Sequence, residues 1–108
     1  MLISMVLAVA TAAAPATESE LATCAAVMTV AYESGAEGVW NEKRAYALGA
    51  ASYYIGRLEA ALEANRNPMA PLTAAHLVEL TYGRLKPADI ESKSQPCFDA
   101  YSAALLDT

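Results

Sequence analysis

The stretch that decides the fold is residues 41–65, N-E-K-R-A-Y-A-L-G-A-A-S-Y-Y-I-G-R-L-E-A-A-L-E-A-N. Asn41 is a good N-cap, and the first prolines that follow are Pro68 and Pro71, so this stretch predicts one long helix. Apolar residues recur on one stripe, namely Leu48, Ala51, Ile55, Leu58 and Leu62. Small residues form an adjoining stripe, namely Ala45, Gly49, Ser52, Gly56 and Ala60. The resulting wide apolar face indicates a central helix that is buried on more than one side.

The two glycines inside this helix require a reason in packing. Each glycine costs about 1 kcal/mol relative to alanine in a helix interior. Gly49, Ser52 and Gly56 therefore predict a place where another helix approaches closely. A slot for a ligand is the alternative that the sequence leaves open.

A first helix is predicted upstream, from about Ser19 to Ser34. Its apolar residues are spaced by three and four, namely Leu21, Cys24, Met28, Ala31 and Tyr32. Thr17 and Glu20 match a capping box at its start, and Gly35 is suited to closing its end. A short linker that contains Gly38 and Trp40 leads to the second helix.

Two more helices are predicted downstream of the second one. The third begins at the cap Thr73, where Leu72 can contact Leu77, and runs to about Tyr82 before Gly83. Residues 86–89 break the helical pattern, so the fourth helix is expected to start near Ser94 or Gln95 with Pro96 at its first position. Its expected inner face consists of Cys97, Phe98, Tyr101, Ala104 and Leu105.

The composition agrees with an all-α fold. The chain has 108 residues, of which 25 are alanine and only nine are valine or isoleucine, and this is a poor composition for strands. A single domain fits the length. The formal net charge of -5 disfavours a phosphate backbone, so nucleic acid is excluded as a partner.

The beginning of the chain has the features of a secretory signal. Residues 2–14 carry no charge, and Ala14 and Ala16 place small residues at the -3 and -1 positions of a cleavage site. We therefore expect a signal peptide over residues 1–16 and a single helical domain over residues 17–108. The apolar run is shorter than the roughly 20 residues of a spanning helix, so no stable membrane anchor is expected after cleavage. Localisation is then periplasmic or secreted.

Export gives meaning to the two cysteines, Cys24 and Cys97. In an oxidising compartment an even pair of cysteines usually forms a disulfide, and this bridge would close a loop of about 74 residues. The chain-entropy model assigns such a loop roughly 4 kcal/mol of stabilisation. With Cys97 at the start of the fourth helix, a regular antiparallel bundle would hold the sulfurs apart. We therefore expect an irregular four-helix domain in which the fourth helix crosses the first or runs roughly parallel to it.

Residues that could carry catalysis are sparse. His76 is the only histidine, and Glu59 and Glu63 are more simply explained as a solvated helix face on which Glu63 pairs with Arg66. Neither a nucleophile elbow, a phosphate-binding loop nor a zinc-protease motif occurs. We predict that the chain is not an enzyme, with no catalytic residues, no metal site and no cofactor.

The tyrosines allow two interpretations. Tyr46, Tyr53 and Tyr54 cluster on the second helix, close to Arg57. They can pack in the core with their hydroxyls at the surface, or they can form a binding patch together with Arg57. The core interpretation is favoured because the chain has only one phenylalanine.

The run Tyr53-Tyr54-Ile55-Gly56-Arg57-Leu58, between an early and a late cysteine, resembles a group of small exported bacterial proteins of unassigned function. This resemblance implies an all-helical exported domain with one disulfide and no catalytic residues. The outline is also similar to the HdeA-like acid-stress chaperones and to the Tai-type immunity proteins. Diagnostic motifs of these two families are missing, as are the extra cysteines of the second.

These observations favour an exported protein that acts through contacts with a protein partner whose identity the sequence does not reveal. An acid-stress chaperone is one alternative, because protonation of twelve carboxylates would leave a strongly positive chain. An inhibitor or immunity protein of an envelope enzyme is the other.

Overall fold

The computed structural model describes residues 15–34, 42–65 and 73–107. These residues form four helices and no strand, which confirms the all-α prediction. The helices are α1 (Glu18–Glu33), α2 (Glu42–Ala64), α3 (Ala74–Arg84) and α4 (Pro87–Leu106). Several predicted features lie outside the described residues: the apolar run of the signal peptide, the linker with Gly35, Gly38 and Trp40, the cap Asn41, Pro68, Pro71 and Leu72.

Helix α1 starts with the predicted capping box. The backbone N–H of Glu20 donates to Thr17 Oγ1 at 3.1 Å, and the N–H of Thr17 donates to Glu20 Oε1 at 3.0 Å. These bonds satisfy two donors that the first turn leaves without helical partners. Hydrogen bonding to Thr17 stabilises the charged carboxylate and lowers the pKa of Glu20.

Helices α1 and α2 form an antiparallel pair that is held at both ends. Asn65 Nδ2, at the end of α2, donates to Glu18 Oε2 at 3.1 Å. Near the start of α2, Arg44 Nε donates to the carbonyl of Tyr32 at 2.9 Å, and its guanidinium lies 4.6 Å from the centre of the Tyr32 ring. Arg44 thereby caps a carbonyl in the last turn of α1, which has no basic residue of its own.

The core lies between α1 and α2. Ala25, Ala26, Val27 and Met28 are fully buried, and four consecutive residues cover every side of a helix, so the middle of α1 is enclosed on all sides. Both α1 and α2 pack against every other helix, whereas α3 and α4 do not pack against each other. The second helix contacts all three others, as predicted for a central helix, and α1 shares this position. The prediction that α2 is buried on more than one side was wrong, because its buried residues lie on a single stripe.

The buried face of α2 is rotated from the predicted stripe. The buried residues of α2 are Ala47, Ala50, Ala51, Tyr54 and Leu58. Ile55 is only partly buried and Leu48 is 41% exposed. Alanines face the alanine-rich α1 because small side chains let two helices approach closely, and Tyr54 fills the remaining space. Periodicity alone could not choose between neighbouring apolar stripes.

Helix α3 begins at its predicted cap, where the N–H of His76 donates to Thr73 Oγ1 at 3.2 Å. It ends at Arg84, two residues beyond the predicted Tyr82, so Gly83 lies within its last turn. Near this end the Tyr82 hydroxyl donates to Glu33 Oε1 at 2.5 Å, which ties α3 to the end of α1. That hydrogen bond to a carboxylate raises the pKa of Tyr82.

The predicted start of the fourth helix, at Ser94 or Gln95, was wrong. Helix α4 begins at Pro87, and the Lys86 N–H donates to Asp89 Oδ2 at 3.1 Å to cap its first turn. Proline suits the first helical position because the N–H that it lacks has no partner there. Pro96 instead lies inside the helix.

The Cys24–Cys97 disulfide is present, as predicted, with 5.5 Å between the two Cα atoms. The premise about helix direction was wrong, however, because Cys97 lies in the middle of α4. A bridge at mid-helix imposes no direction on α4. The irregular architecture arises instead because Leu85 and Lys86 alone separate α3 from α4, and α4 turns away to lie on α1 and α2.

Cys97 is the only fully buried residue of α4, so this helix lies on the outside of the core.

None of the helices formed by the described residues is both long and apolar enough to cross a membrane.

Candidate functional site

Five aromatic rings meet where α2 and α4 pack together, and we call this cluster the aromatic seam: Tyr46, Tyr53 and Tyr54 from α2, with Phe98 and Tyr101 from α4. The ring of Tyr46 lies 5.6 Å from Phe98 and 5.1 Å from Tyr101, measured between ring centres. Tyr53 lies 5.3 Å from Tyr101 and 5.2 Å from Tyr54. These separations are typical of favourable aromatic pairs.

Tyr54 is the buried member of the seam, with 0% of its surface exposed. Its hydroxyl donates to the backbone carbonyl of Cys97 at 2.5 Å, which ties the seam to the disulfide. Burial disfavours the phenolate and raises the pKa of Tyr54 to about 12. The inclusion of Tyr54 in a surface patch was therefore wrong, because it is a core residue.

The other four rings are half-buried and present only part of their surface. The hydroxyls of Tyr46 and Ser102 are hydrogen-bonded to each other. Ser102 Oγ also donates to the carbonyl of Phe98 at 3.0 Å, so Tyr46 is the donor in the first bond. This chain of two bonds holds Tyr46 against α4.

Arg57 lies one turn beyond Tyr53 on the exposed side of α2. Its Nη1 donates to Tyr53 Oη at 3.0 Å, and its Cζ lies 5.9 Å from the centre of the Tyr53 ring. The structure thus brings together three of the four predicted patch residues, Tyr46, Tyr53 and Arg57. Tyr101 completes this surface, and its place on the inner face of the fourth helix was the only signal for it in the sequence.

The stripe of small residues on α2 is packed against another side chain at Gly49 and exposed at Ser52 and Gly56. An ideal Cβ on Gly49 would lie 2.7 Å from Tyr101 Oη, so this position has a packing requirement. Ser52 and Gly56 are exposed, and no described atom lies within 4 Å of a Cβ placed on Gly56. The prediction that all three pack against a helix is wrong for Ser52 and Gly56. At Gly49 the close neighbour is a tyrosine side chain.

The remaining candidates for chemistry are scattered over the surface. His76, Glu59 and Glu63 are exposed, and Arg66 lies outside the described residues. Within residues 15–34, 42–65 and 73–107, no three His, Cys, Asp or Glu side chains are grouped so that they could hold a metal ion.

Comparison of the chain with protein-family models, with curated proteins and with solved structures finds no match. The function must therefore be argued from the side chains of this chain.

Proposed function

We propose that this chain is an exported protein that binds a protein partner through the surface formed by Tyr46, Tyr53, Arg57 and Tyr101. The observation that carries the proposal is the hydrogen bond of 3.0 Å from Nη1 of the exposed Arg57 to Oη of the half-buried Tyr53. Tyrosine and arginine are enriched at protein interfaces because each combines a large contact area with polar groups.

The setting of these side chains favours recognition. Ring contacts and the Tyr46–Ser102 hydrogen bond hold the tyrosines in place before any partner arrives. Little side-chain entropy is then lost on binding, and this is a general source of affinity. The guanidinium and the phenol groups suit a partner that presents carboxylate or carbonyl oxygens, since arginine has five N–H donors.

Export is supported by the conformation around the predicted cleavage site. Ala16 is exposed and non-helical, and Thr17 has extended backbone angles. Accessible non-helical backbone suits a protease. Cleavage after Ala16 would leave Thr17 and Glu20, and with them the capping box, in the mature chain. A structural disulfide is also typical of exported proteins.

The experiment compares Arg57→Glu with Arg84→Glu, which makes the same charge change at an exposed residue on α3. Each variant is exported with an affinity tag, crosslinked in intact cells and recovered, and its N-terminus is sequenced. We expect Thr17 at the N-terminus and a crosslinked partner that is lost in Arg57→Glu but kept in Arg84→Glu. Equal recovery of the partner with both variants would refute the role of the seam.

A further inference from the structure

A groove of about 220 Å³ opens between α1 and α4, and the disulfide forms part of its wall. Its wall is formed by Ser19, Glu20, Thr23, Lys93, Pro96 and the two cysteines. Pro15 also lines the groove in the full chain, and cleavage after Ala16 would remove it. Cys24 is 6% exposed and Cys97 is 3% exposed. The bridge is therefore mostly covered by protein, and the groove gives one route to it from solvent.

The two titratable groups among the lining residues carry opposite charges and stand on different helices, each one turn before a different cysteine. They also act on each other because, besides hydrogen bonding to Thr17, the charge of Lys93 contributes to the lowered pKa of Glu20. Lys93 precedes Cys97 by four residues, and Glu20 precedes Cys24 by four residues. This spacing places each charge on the same helix face as its cysteine.

A thiolate at Cys97 would be stabilised by the ammonium of Lys93. A thiolate at Cys24 has no such cation on its own helix face, because the residue one turn before it is Glu20, whose carboxylate accepts from the backbone N–H groups of Ala16 and Thr17. Cys24 is the seventh residue of α1, beyond the first turn in which the helix dipole acts strongly.

We propose that this groove is a thiol–disulfide exchange site at which a small external thiol opens the bridge while the domain stays folded. The external thiolate attacks Cys24 Sγ and forms a mixed disulfide with it. The Sγ–Sγ bond breaks, and its electron pair leaves on Cys97 as a thiolate beside Lys93. A second external thiolate then attacks the sulfur of the small thiol in the mixed disulfide, which releases the oxidised external disulfide and leaves Cys24 reduced.

The direction of attack follows from the leaving group. Exchange is faster when the departing sulfur is the more stable thiolate, and here the charges favour Cys97. After the bridge opens, Tyr54 and the aromatic seam still hold α4 on α2, so the helix has a second attachment. Reduction in the folded state therefore releases the link between α1 and α4 without separating α4 from the domain.

The first test follows the reduction of the oxidised chain by dithiothreitol under native conditions, with mass spectrometry of alkylated samples. We expect the rate to increase linearly with dithiothreitol concentration and to exceed the global unfolding rate, which is measured separately from denaturant unfolding kinetics. A rate that levels off at the unfolding rate would overturn the proposal, because the groove would then play no part.

The second test identifies the sulfur that is attacked. Brief exposure to 2-mercaptoethanol, followed by acid quenching and alkylation, should give the mercaptoethanol adduct on Cys24 and the alkyl group on Cys97. An adduct mainly on Cys97 would contradict the assignment.

The third test removes the charge beside the leaving sulfur. Lys93→Gln should slow reduction by about two- to fivefold at low salt, as expected for one charge near the reacting sulfurs in a largely aqueous groove. Lys93→Arg should react like the wild type. Arg84→Gln removes a cation that does not line the groove, and an equal slowing in this control would count against Lys93.

Discussion

The Gly49 and Gly56 positions allow one substitution to be tested in two different environments of the same helix. Alanine in a helix interior is favoured over glycine by about 1 kcal/mol. Gly56→Ala adds a methyl group that meets no described atom within 4 Å, so it should stabilise the domain by about 1 kcal/mol. Gly49→Ala adds a methyl group 2.7 Å from Tyr101 Oη, so the tyrosine must move.

The movement of Tyr101 carries a cost because its ring is held on two sides. Tyr46 and Tyr53 lie 5.1 and 5.3 Å from it, so the ring cannot simply rotate away from α2. Overpacking of this kind costs about 1 to 3 kcal/mol, which offsets or exceeds the gain in helix propensity. We therefore expect Gly49→Ala to be about 1 kcal/mol less stable than the wild type, and about 2 kcal/mol less stable than Gly56→Ala.

The double variant Gly49→Ala with Tyr101→Phe isolates the contact. Without the phenol oxygen, the nearest atom to the new methyl group is Cζ at 3.6 Å, which is an ordinary van der Waals distance. In the Tyr101→Phe background, Gly49→Ala should therefore stabilise the domain by about 1 kcal/mol, as Gly56→Ala does in the wild type. The assay is equilibrium urea unfolding of the disulfide-intact chain. The reasoning would be refuted if Gly49→Ala, made in the wild-type chain, stabilised the domain as much as Gly56→Ala does.

Three further predictions concern interactions that stabilise the fold. Burial raises the pKa of Tyr54 to about 12 in the folded state, so the free energy of unfolding should fall by about 3 kcal/mol in total as pH rises from about 10 to 12. Urea unfolding measured at each pH should show that Tyr54→Phe lacks this part of the pH dependence. The double variant Cys24→Ser with Cys97→Ser should lose about 4 kcal/mol in the same assay, and a loss below about 1 kcal/mol would contradict the loop-entropy argument. Thr17→Ala should cost about 1 kcal/mol through loss of the α1 cap, whereas Thr17→Ser should stay close to the wild type.

The helix starts that were predictable are those whose capping chemistry is local. The hydroxyls of Thr17 and Thr73 each accept a hydrogen bond from the backbone N–H of the residue three positions later, and α1 and α3 begin where these caps predict. For α4, residues 86–89 were predicted to break the helical pattern, and the start was predicted near Pro96. The structure starts at Pro87 because Asp89 caps the Lys86 N–H there. The apolar pattern after residue 96 contained no information about this cap.

The residue types of the candidate site could be predicted from the sequence, but the burial of each residue could not. Tyr53 and Tyr54 are adjacent and chemically identical, yet one is fully buried and the other reaches Arg57 at the surface. Neighbouring residues on a helix point about 100° apart, so the positions of the helices packed on α2 decide which ring is buried. Likewise, only the placement of Tyr101 across from Gly49 separates that glycine from Gly56. Both distinctions depend on contacts between residues that are distant in sequence.

Helix α4 owes its place to two attachments of different kinds. The disulfide supplies the only fully buried residue of the helix, and the seam supplies half-buried rings that pack on α2. Tyr54 connects the two, because its hydroxyl binds the carbonyl of the cysteine that forms the bridge. Opening the bridge removes the covalent link to α1 but leaves this hydrogen bond available. A domain with few bulky core residues can therefore keep its fourth helix in either redox state, provided that the tyrosines stay in place.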